Sequence, residues 1–173
     1  MTNVLIVEDE RMAREALCSY VNSAPGRYTL VATIRNADDA ELVCLKRKID
    51  LIIMDICTFA SNGIEVAATI KKKYPGIKVI IVTSMVDTRF LEQARNRGME
   101  SFWHKEASLE AFVDVMDRTM AGESVYIDKM PDVMIGCCPS HEFRKRQLET
   151  VYWMLKLGKV PLVAEKMQIS EEG

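Results

Sequence analysis

The sequence predicts an α/β protein whose five-stranded parallel sheet carries helices on both faces, followed by a linker and a short all-α segment. Three observations support this fold class. Short apolar runs alternate with longer amphipathic runs, the apolar runs are almost continuously aliphatic, and Gly or Pro residues separate the two kinds. Strands that alternate with helices form parallel sheets. Strands without polar alternation are typical of sheets buried on both faces.

Ten elements are predicted within residues 1–120, which we expect to form one doubly wound domain. The runs with the length and composition of buried strands are residues 3–7, 28–34, 50–55, 78–84 and 100–105. The runs with apolar residues at helical spacing are residues 11–24, 37–48, 63–74, 87–97 and 108–120. Gly26, Pro75-Gly76 and Gly98 lie where three of these helices are expected to end.

The remainder of the chain differs in composition. Residues 121–140 mix Gly, Pro and Ser with isolated apolar residues, which predicts a linker. Within residues 141–173, a helical pattern runs up to Gly158, and a second helix is expected to begin with Pro161 in its first turn. The predicted organisation is therefore a domain, a linker and a small helical segment.

Composition excludes several classes of protein. The net charge of −2 gives no global basic field for nucleic acid, and no apolar stretch approaches the ~18 residues of a membrane span. The N-terminus has no basic region before its apolar run, which argues against a secretory signal. The five cysteines have no CxxC spacing, so neither a disulfide framework nor a zinc site is expected. A reduced, cytoplasmic protein without a membrane partner fits best.

Charged and hydroxyl side chains follow the predicted strands at the edge where open α/β sheets bind ligands. The first strand ends in Glu8 and Asp9, the third in Asp55, the fourth in Thr83 and the fifth in Lys105. Each residue alone fits a cap or a turn. Three carboxylates brought together repel one another unless a cation is present. The pattern therefore predicts a cation-binding cluster at this edge.

This set of side chains suits the formation of an acyl phosphate. Asp55 is predicted to attack a phosphoryl group as nucleophile. Glu8 and Asp9 are predicted to hold Mg²⁺, a hard ion that prefers oxygen ligands. Thr83 supplies a hydroxyl donor and Lys105 a positive charge for the transferred phosphoryl group.

The motifs VEDE, IIMD, IVTS and WHKE resemble the receiver domain of two-component response regulators, a flavodoxin-like fold, over residues 1–120. The resemblance implies that a sensor histidine kinase phosphorylates Asp55. It also implies that the backbone carbonyl of Cys57 joins Glu8, Asp9 and Asp55 as a metal ligand, and that Thr83 and Lys105 sense the phosphoryl group.

Phe102 lies at the position where receivers carry an aromatic switch residue. The alternative, of equal weight, is that Phe102 is an ordinary packed aromatic of the strand. The sequence departs from the family after Asp55, where Thr58-Phe59-Ala60 replaces a Met-Pro-Gly stretch. Losing the proline is expected to loosen this loop.

The C-terminal segment resembles the beginning of the LuxR-type helix-turn-helix of the NarL/FixJ subfamily. A first helix ends at Gly158, and the next carries an apolar-Ala-x-x-apolar pattern in residues 163–167. In that family the recognition helix opens just after the position of Ser170, so this chain is expected to lack it and not to read DNA sequence. A helical hairpin for dimerisation is the alternative.

Together these resemblances imply a phosphorylation-activated response regulator that controls transcription through a helix-turn-helix. The partners they imply are a sensor histidine kinase, DNA for the full-length protein and, in a homodimer, a second copy of the chain. They imply a signalling phosphoacceptor rather than an enzyme, with Mg²⁺-dependent self-phosphorylation and autodephosphorylation as its chemistry. A receiver-type interaction module that signals without DNA is the alternative. An aspartate-nucleophile phosphatase of the haloacid dehalogenase type is not expected, because those enzymes need a second acid at the position that Cys57 occupies here.

Overall fold

The computed structural model describes residues 1–59, 61–85, 87–105, 109–126, 134–135, 138–139 and 144–169. Two compact units divide the chain: residues 1–84 with 89–128, and residues 85–88 with 129–173. The predicted domain boundaries at residues 120 and 140 stay predictions. Within the described residues, no helix has the length and apolar character that crossing a membrane requires.

Five parallel strands form the central sheet of the first unit. They are β1 (Thr2–Val7), β2 (Tyr28–Ile34), β3 (Leu51–Asp55), β6 (Lys78–Thr83) and β7 (Ser101–His104). Their order is β2-β1-β3-β6-β7, and every pairing is parallel. The prediction of a five-stranded parallel sheet is confirmed, with strand ends that differ from the predicted ones by at most one residue.

Five helices alternate with these strands, as the periodicity predicts. They are α1 (Arg11–Asn22), α2 (Ala40–Lys46), α3 (Gly63–Lys73), α4 (Thr88–Asn96) and α5 (Leu109–Met120). A 3₁₀ turn, Ala37–Asp39, precedes α2. A two-residue hairpin between β3 and α3, formed by β4 (Cys57–Thr58) and β5 (Ser61–Asn62), is an addition to the predicted elements.

Apart from the edge strand β2, whose residues are mostly half-buried, the strands are buried on both faces of the sheet, as their aliphatic composition predicts. Residues 4–7 of β1 and 51–54 of β3 are fully buried. Alternate strand residues such as Ile6, Ile53 and Val82 pack in one cluster with Leu17 and Phe112, which lie on α1 and α5. A shift in strand register would move these apolar side chains out of the cluster. The packing therefore keeps the strand ends in fixed register.

After α5 the chain returns to the edge of the sheet. Val125 forms a parallel bridge with Ser101 of β7, and the Phe102 amide donates to the Val125 carbonyl at 2.9 Å. The Val125 amide donates to the Ser101 hydroxyl, which lies 2.6 Å from that of Thr119. The first residues of the predicted linker therefore cover part of the open edge of β7.

The described residues of the second unit contain two short antiparallel strands and two helices. The strands are β8 (Met134–Ile135) and β9 (Cys138–Pro139), and the helices are α6 (Lys145–Leu157) and α7 (Val160–Met167). Gly158 ends α6 in the left-handed conformation (φ 65°), which favours glycine. Pro161 lies in the first turn of α7, whose Val163 and Ala164 are buried. Both predicted helices are confirmed; Ser170 lies outside the described residues.

Candidate phosphorylation site

Three carboxylates meet at the carboxyl edge of the sheet. Glu8, Asp9 and Asp55 each offer one carboxylate oxygen, and these oxygens all lie within 4.8 Å of one another. The strand register brings two of these acids together. Val7 of β1 pairs with Met54 of β3, so the next residues, Glu8 and Asp55, lie side by side. Glu8 and Asp55 are buried and Asp9 is half-buried. The predicted convergence of the three acids is present.

Lys105 supplies a positive charge beside two of these acids. Its ammonium lies 2.6 Å from Glu8 Oε2 and 3.0 Å from Asp55 Oδ1. Burial by itself lowers the pKa of Lys105, but attraction to Asp55 and Glu8 outweighs burial and raises that pKa. The Lys105 amide donates to the Thr83 carbonyl at 2.9 Å, which ties the chain after β7 to the end of β6. Lys105 is therefore a protonated, fixed cation at the site.

The turn between β1 and α1 is held by several hydrogen bonds. The Glu8 amide donates to the Ile34 carbonyl at 3.0 Å, and the Glu10 amide donates to Glu8 Oε1 at 3.1 Å. From α1, Arg14 Nη1 donates to the carbonyls of Glu8 and Asp9, at 2.9 and 3.1 Å. This turn, which carries two of the three acids, is thus anchored to both β2 and α1.

The loop after Asp55 folds back over the acidic turn. The Phe59 amide donates to Asp9 Oδ2 at 3.1 Å, and Phe59 has a left-handed backbone (φ 49°). The buried Thr58 hydroxyl accepts from the Ala37 amide at 2.8 Å. These bonds anchor the loop that lacks the family's proline. Its expected looseness stays a prediction, and Ala60 lies outside the described residues.

Gly63 lies directly against the backbone of the candidate nucleophile. Its amide donates to the Ile56 carbonyl at 2.6 Å, and a Cβ at this position would lie 2.0 Å from the Asp55 carbonyl oxygen. The Asn62 side chain caps α3 by accepting from the Ile64 amide at 3.0 Å. The Asn-Gly pair therefore begins α3 while allowing the helix to approach Asp55 closely.

Thr83 and Phe102 occupy the neighbouring strands. Thr83 ends β6, where it pairs with His104 of β7, and it is almost fully buried. Phe102 is fully buried, and its ring stacks on Tyr126 with centroids 6.3 Å apart. The Arg95 guanidinium lies 4.6 Å from the Tyr126 ring centroid, and the Tyr126 hydroxyl donates to the Met99 carbonyl at 2.7 Å. Tyr126 therefore joins Phe102 to α4.

The charges of the site suit a divalent cation. The three clustered carboxylates outnumber the Lys105 ammonium that pairs with two of them, so a divalent cation would offset excess negative charge at the site. Carboxylate oxygens are the ligands that this hard ion prefers, and their separation within 4.8 Å lets one ion approach all three. The residues present fit the predicted metal.

Some participants were not predicted from the sequence. Arg14, Tyr126 and the Phe59 amide belong to this group. Nothing in the sequence separates Arg14 from Arg11, the other basic residue on α1. Tyr126 lies in a stretch whose composition predicts a linker. The sequence therefore gives no sign that its ring packs on β7.

Comparison with known proteins agrees with this geometry. Residues 4–117 match the response regulator receiver domain family. The response regulator protein VraR of Staphylococcus epidermidis is 31% identical over 132 residues, which cover 76% of this chain and 61% of that protein. The chain thus matches less than two thirds of the length of this relative.

Solved structures give the same result. A LuxR-family DNA-binding response regulator from Staphylococcus aureus superimposes with a TM-score of 0.64 at 30% identity, covering 69% of this chain and 99% of that one. The RcsB response regulator of Salmonella typhimurium, at 13% identity, shares the fold with a TM-score of 0.67 over 99% of this chain and 85% of its own. The family match over residues 4–117 and the shared fold show that the chain belongs to the response regulators and carries their receiver domain.

Proposed function

We propose that this chain is the phosphoryl-accepting part of a two-component response regulator and that Asp55 is its phosphorylation site. One observation carries the proposal: Asp55 Oδ1 lies 3.0 Å from the Lys105 ammonium, in a carboxylate cluster with Glu8 and Asp9. The donor is a histidine kinase, the partner that response regulators share. The cytoplasm is the proposed compartment, where thiols such as the free Cys18 persist.

The proposed reaction is an in-line transfer between two residues. A carboxylate oxygen of Asp55 attacks the phosphorus of a phosphohistidine, the P–N bond breaks, and the imidazole takes up a proton. Lys105 then faces both the acyl phosphate and Glu8, while the Thr83 hydroxyl is proposed to donate to a phosphoryl oxygen. Bound Mg²⁺ neutralises charge on the transferred group. Its proposed ligands are Glu8, Asp9, Asp55 and the backbone carbonyl of Cys57.

The proposed output is transcriptional control. The α6–α7 pair has the glycine-terminated first helix and the buried Val163-Ala164 pattern of a LuxR-type helix-turn-helix. We propose DNA as the partner of the whole protein. A receiver-type module that acts through protein contacts alone is the second candidate. Titration of the whole protein, rather than this chain, with promoter-derived and scrambled duplex at physiological salt separates the two.

Asp55→Asn is expected to abolish phosphorylation. The variant keeps the size of the side chain but replaces the nucleophilic carboxylate by an amide. Incubation with acetyl phosphate and Mg²⁺, followed by intact-mass measurement, checks this: the wild type gains one phosphoryl group and the variant none. Asp114→Asn, a change on the exposed surface of α5, is the control. Undiminished phosphorylation of Asp55→Asn would refute the assignment.

Mg²⁺ is expected to raise the melting temperature, and Asp9→Ala is expected to remove most of the rise. Ligands that bind only the folded state stabilise it by mass action, and Asp9 is one of the three clustered acids. A Mg²⁺ titration followed by differential scanning fluorimetry measures both effects. The same Mg²⁺-dependent rise in Asp9→Ala would show that the ion binds elsewhere.

Phosphorylation is proposed to be read out through Thr83 and the face formed by α4, β7 and α5. A hydroxyl drawn to the phosphoryl group leaves space for Phe102, whose movement changes the Tyr126 stack. We expect amide exchange to change at residues 99–102 and 125–126 in the phosphorylated wild type. Changes confined to the neighbourhood of Asp55 would count against this route.

A further inference from the structure

Arg14 connects helix α1 to the two acids that follow β1. It lies in the first turn of α1, half-buried, and its Nη1 nitrogen donates to both the Glu8 and the Asp9 carbonyl. One guanidinium nitrogen carries two hydrogens, so it supplies one donor to each carbonyl. A single side chain therefore binds two successive peptide units of the acidic turn.

This contact bears on the direction of the carboxylates. Glu8 and Asp9 lie between the end of β1 and the start of α1, outside either element, so the strand ladder does not fix the peptide planes of both. Rotation of the Asp9 peptide would swing its carboxylate away from Asp55. Hydrogen bonds from a charged donor are stronger and shorter than neutral ones, and those from Arg14 hold both carbonyls on the α1 side.

We propose that Arg14 is a positioning residue for the metal site: by binding the Glu8 and Asp9 carbonyls, it keeps the Asp9 carboxylate within reach of an ion shared with Asp55. The inference rests on the proposed function, because it assigns Arg14 to the Mg²⁺ site of the phosphorylation reaction. Arg14 contacts the backbone of the ligands and neither the ion nor the phosphoryl group.

Helix α1 provides a matched control. Arg11 lies one turn earlier and pairs with Glu15 on the exposed surface, at 2.8 Å. Arg11→Met and Arg14→Met remove the same charge from the same helix. Only the second removes donors from the acidic turn, so a difference between the variants reports the position of the guanidinium.

The test measures Mg²⁺ affinity by calorimetry on the full chain. Loss of residues that orient metal ligands typically weakens metal binding by about tenfold or more. We expect Arg14→Met to raise the Mg²⁺ dissociation constant about tenfold and Arg11→Met to leave it unchanged. Arg14→Lys keeps the charge but not the geometry of the guanidinium, so an intermediate constant is expected. It also provides the measurement if Arg14→Met fails to fold, which circular dichroism reveals.

A kinetic measurement separates positioning from general damage. Phosphorylation of Arg14→Met by acetyl phosphate is expected to be slow at low Mg²⁺ and to reach the wild-type rate at saturating Mg²⁺. An unchanged dissociation constant, full restoration by Arg14→Lys, or a rate that stays low at saturating Mg²⁺ would each overturn the inference. If the wild type binds Mg²⁺ without accepting a phosphoryl group, and Arg14→Met still weakens the binding, the proposed function falls and the role of Arg14 stands.

Discussion

Gly63→Ala is expected to destabilise the protein by about 3 kcal/mol, the upper range for inserting a group into a packed site. The added Cβ would lie 2.0 Å from the Asp55 carbonyl oxygen and 2.9 Å from Met54 Cγ. The first of these is a backbone atom in the central strand, so α3 must move away from β3 or Asp55 must shift. Either movement displaces the proposed nucleophile, and phosphorylation is expected to slow as well.

The expected destabilisation is opposite in sign to the usual effect of replacing glycine by alanine in a helix. In most helices, alanine stabilises relative to glycine by roughly 0.5–1 kcal/mol. Gly76→Ala is the control, since a Cβ there meets no atom within 4 Å. Urea unfolding followed by circular dichroism compares the two variants. Equal stabilities for Gly63→Ala and the wild type would show that α3 does not need its close approach to Asp55.

Lys105→Met is expected to lower the free energy of unfolding at neutral pH by about 3 kcal/mol, because removing one partner of a buried ion pair leaves the other charge uncompensated. The ammonium lies against the buried carboxylates of both Glu8 and Asp55. Mg²⁺ is expected to restore part of the lost stability, since it brings positive charge to the same carboxylates. Lys73→Met, which removes an exposed pair with Glu41, is the control and is expected to cost less than about 1 kcal/mol.

The pH dependence of the Lys105 contribution has a definite sign. The pKa of Lys105 is raised above its ordinary value of 10.5 in the folded protein. A raised lysine pKa stabilises the fold fully below the unfolded pKa, and this contribution disappears as the pH rises through the folded pKa. The stability difference between wild type and Lys105→Met is therefore expected to be constant near pH 7 and to shrink above pH 10.5. A difference that grows above that pH would contradict the ion-pair explanation.

Most of the receiver fold, and the convergence of its candidate site residues, were predictable from the sequence. Strands such as Leu51–Asp55 are aliphatic throughout, and helices such as α1 repeat apolar residues at a period that only a helix satisfies. Because parallel strands all end at one edge, naming the strand ends was enough to place Asp55, Lys105 and the acidic pair together. Fold and candidate site were accessible because they depend on local pattern and on one topological rule.

The details that tune the site were decided by the tertiary structure. Arg11 and Arg14 are equivalent in the sequence, but only the rotation of α1 relative to the turn directs Arg14 to the Glu8 and Asp9 carbonyls. Likewise, the need for glycine at position 63 follows from its distance to the Asp55 carbonyl, and the role of Tyr126 follows from its stack on Phe102. By itself the sequence determined the order of the elements and which charged and hydroxyl residues stand at the strand ends, since these depend on residues near one another in the chain. Which side chains support that chemistry depends on distances between separate segments, and these exist only once the sheet and helices have packed.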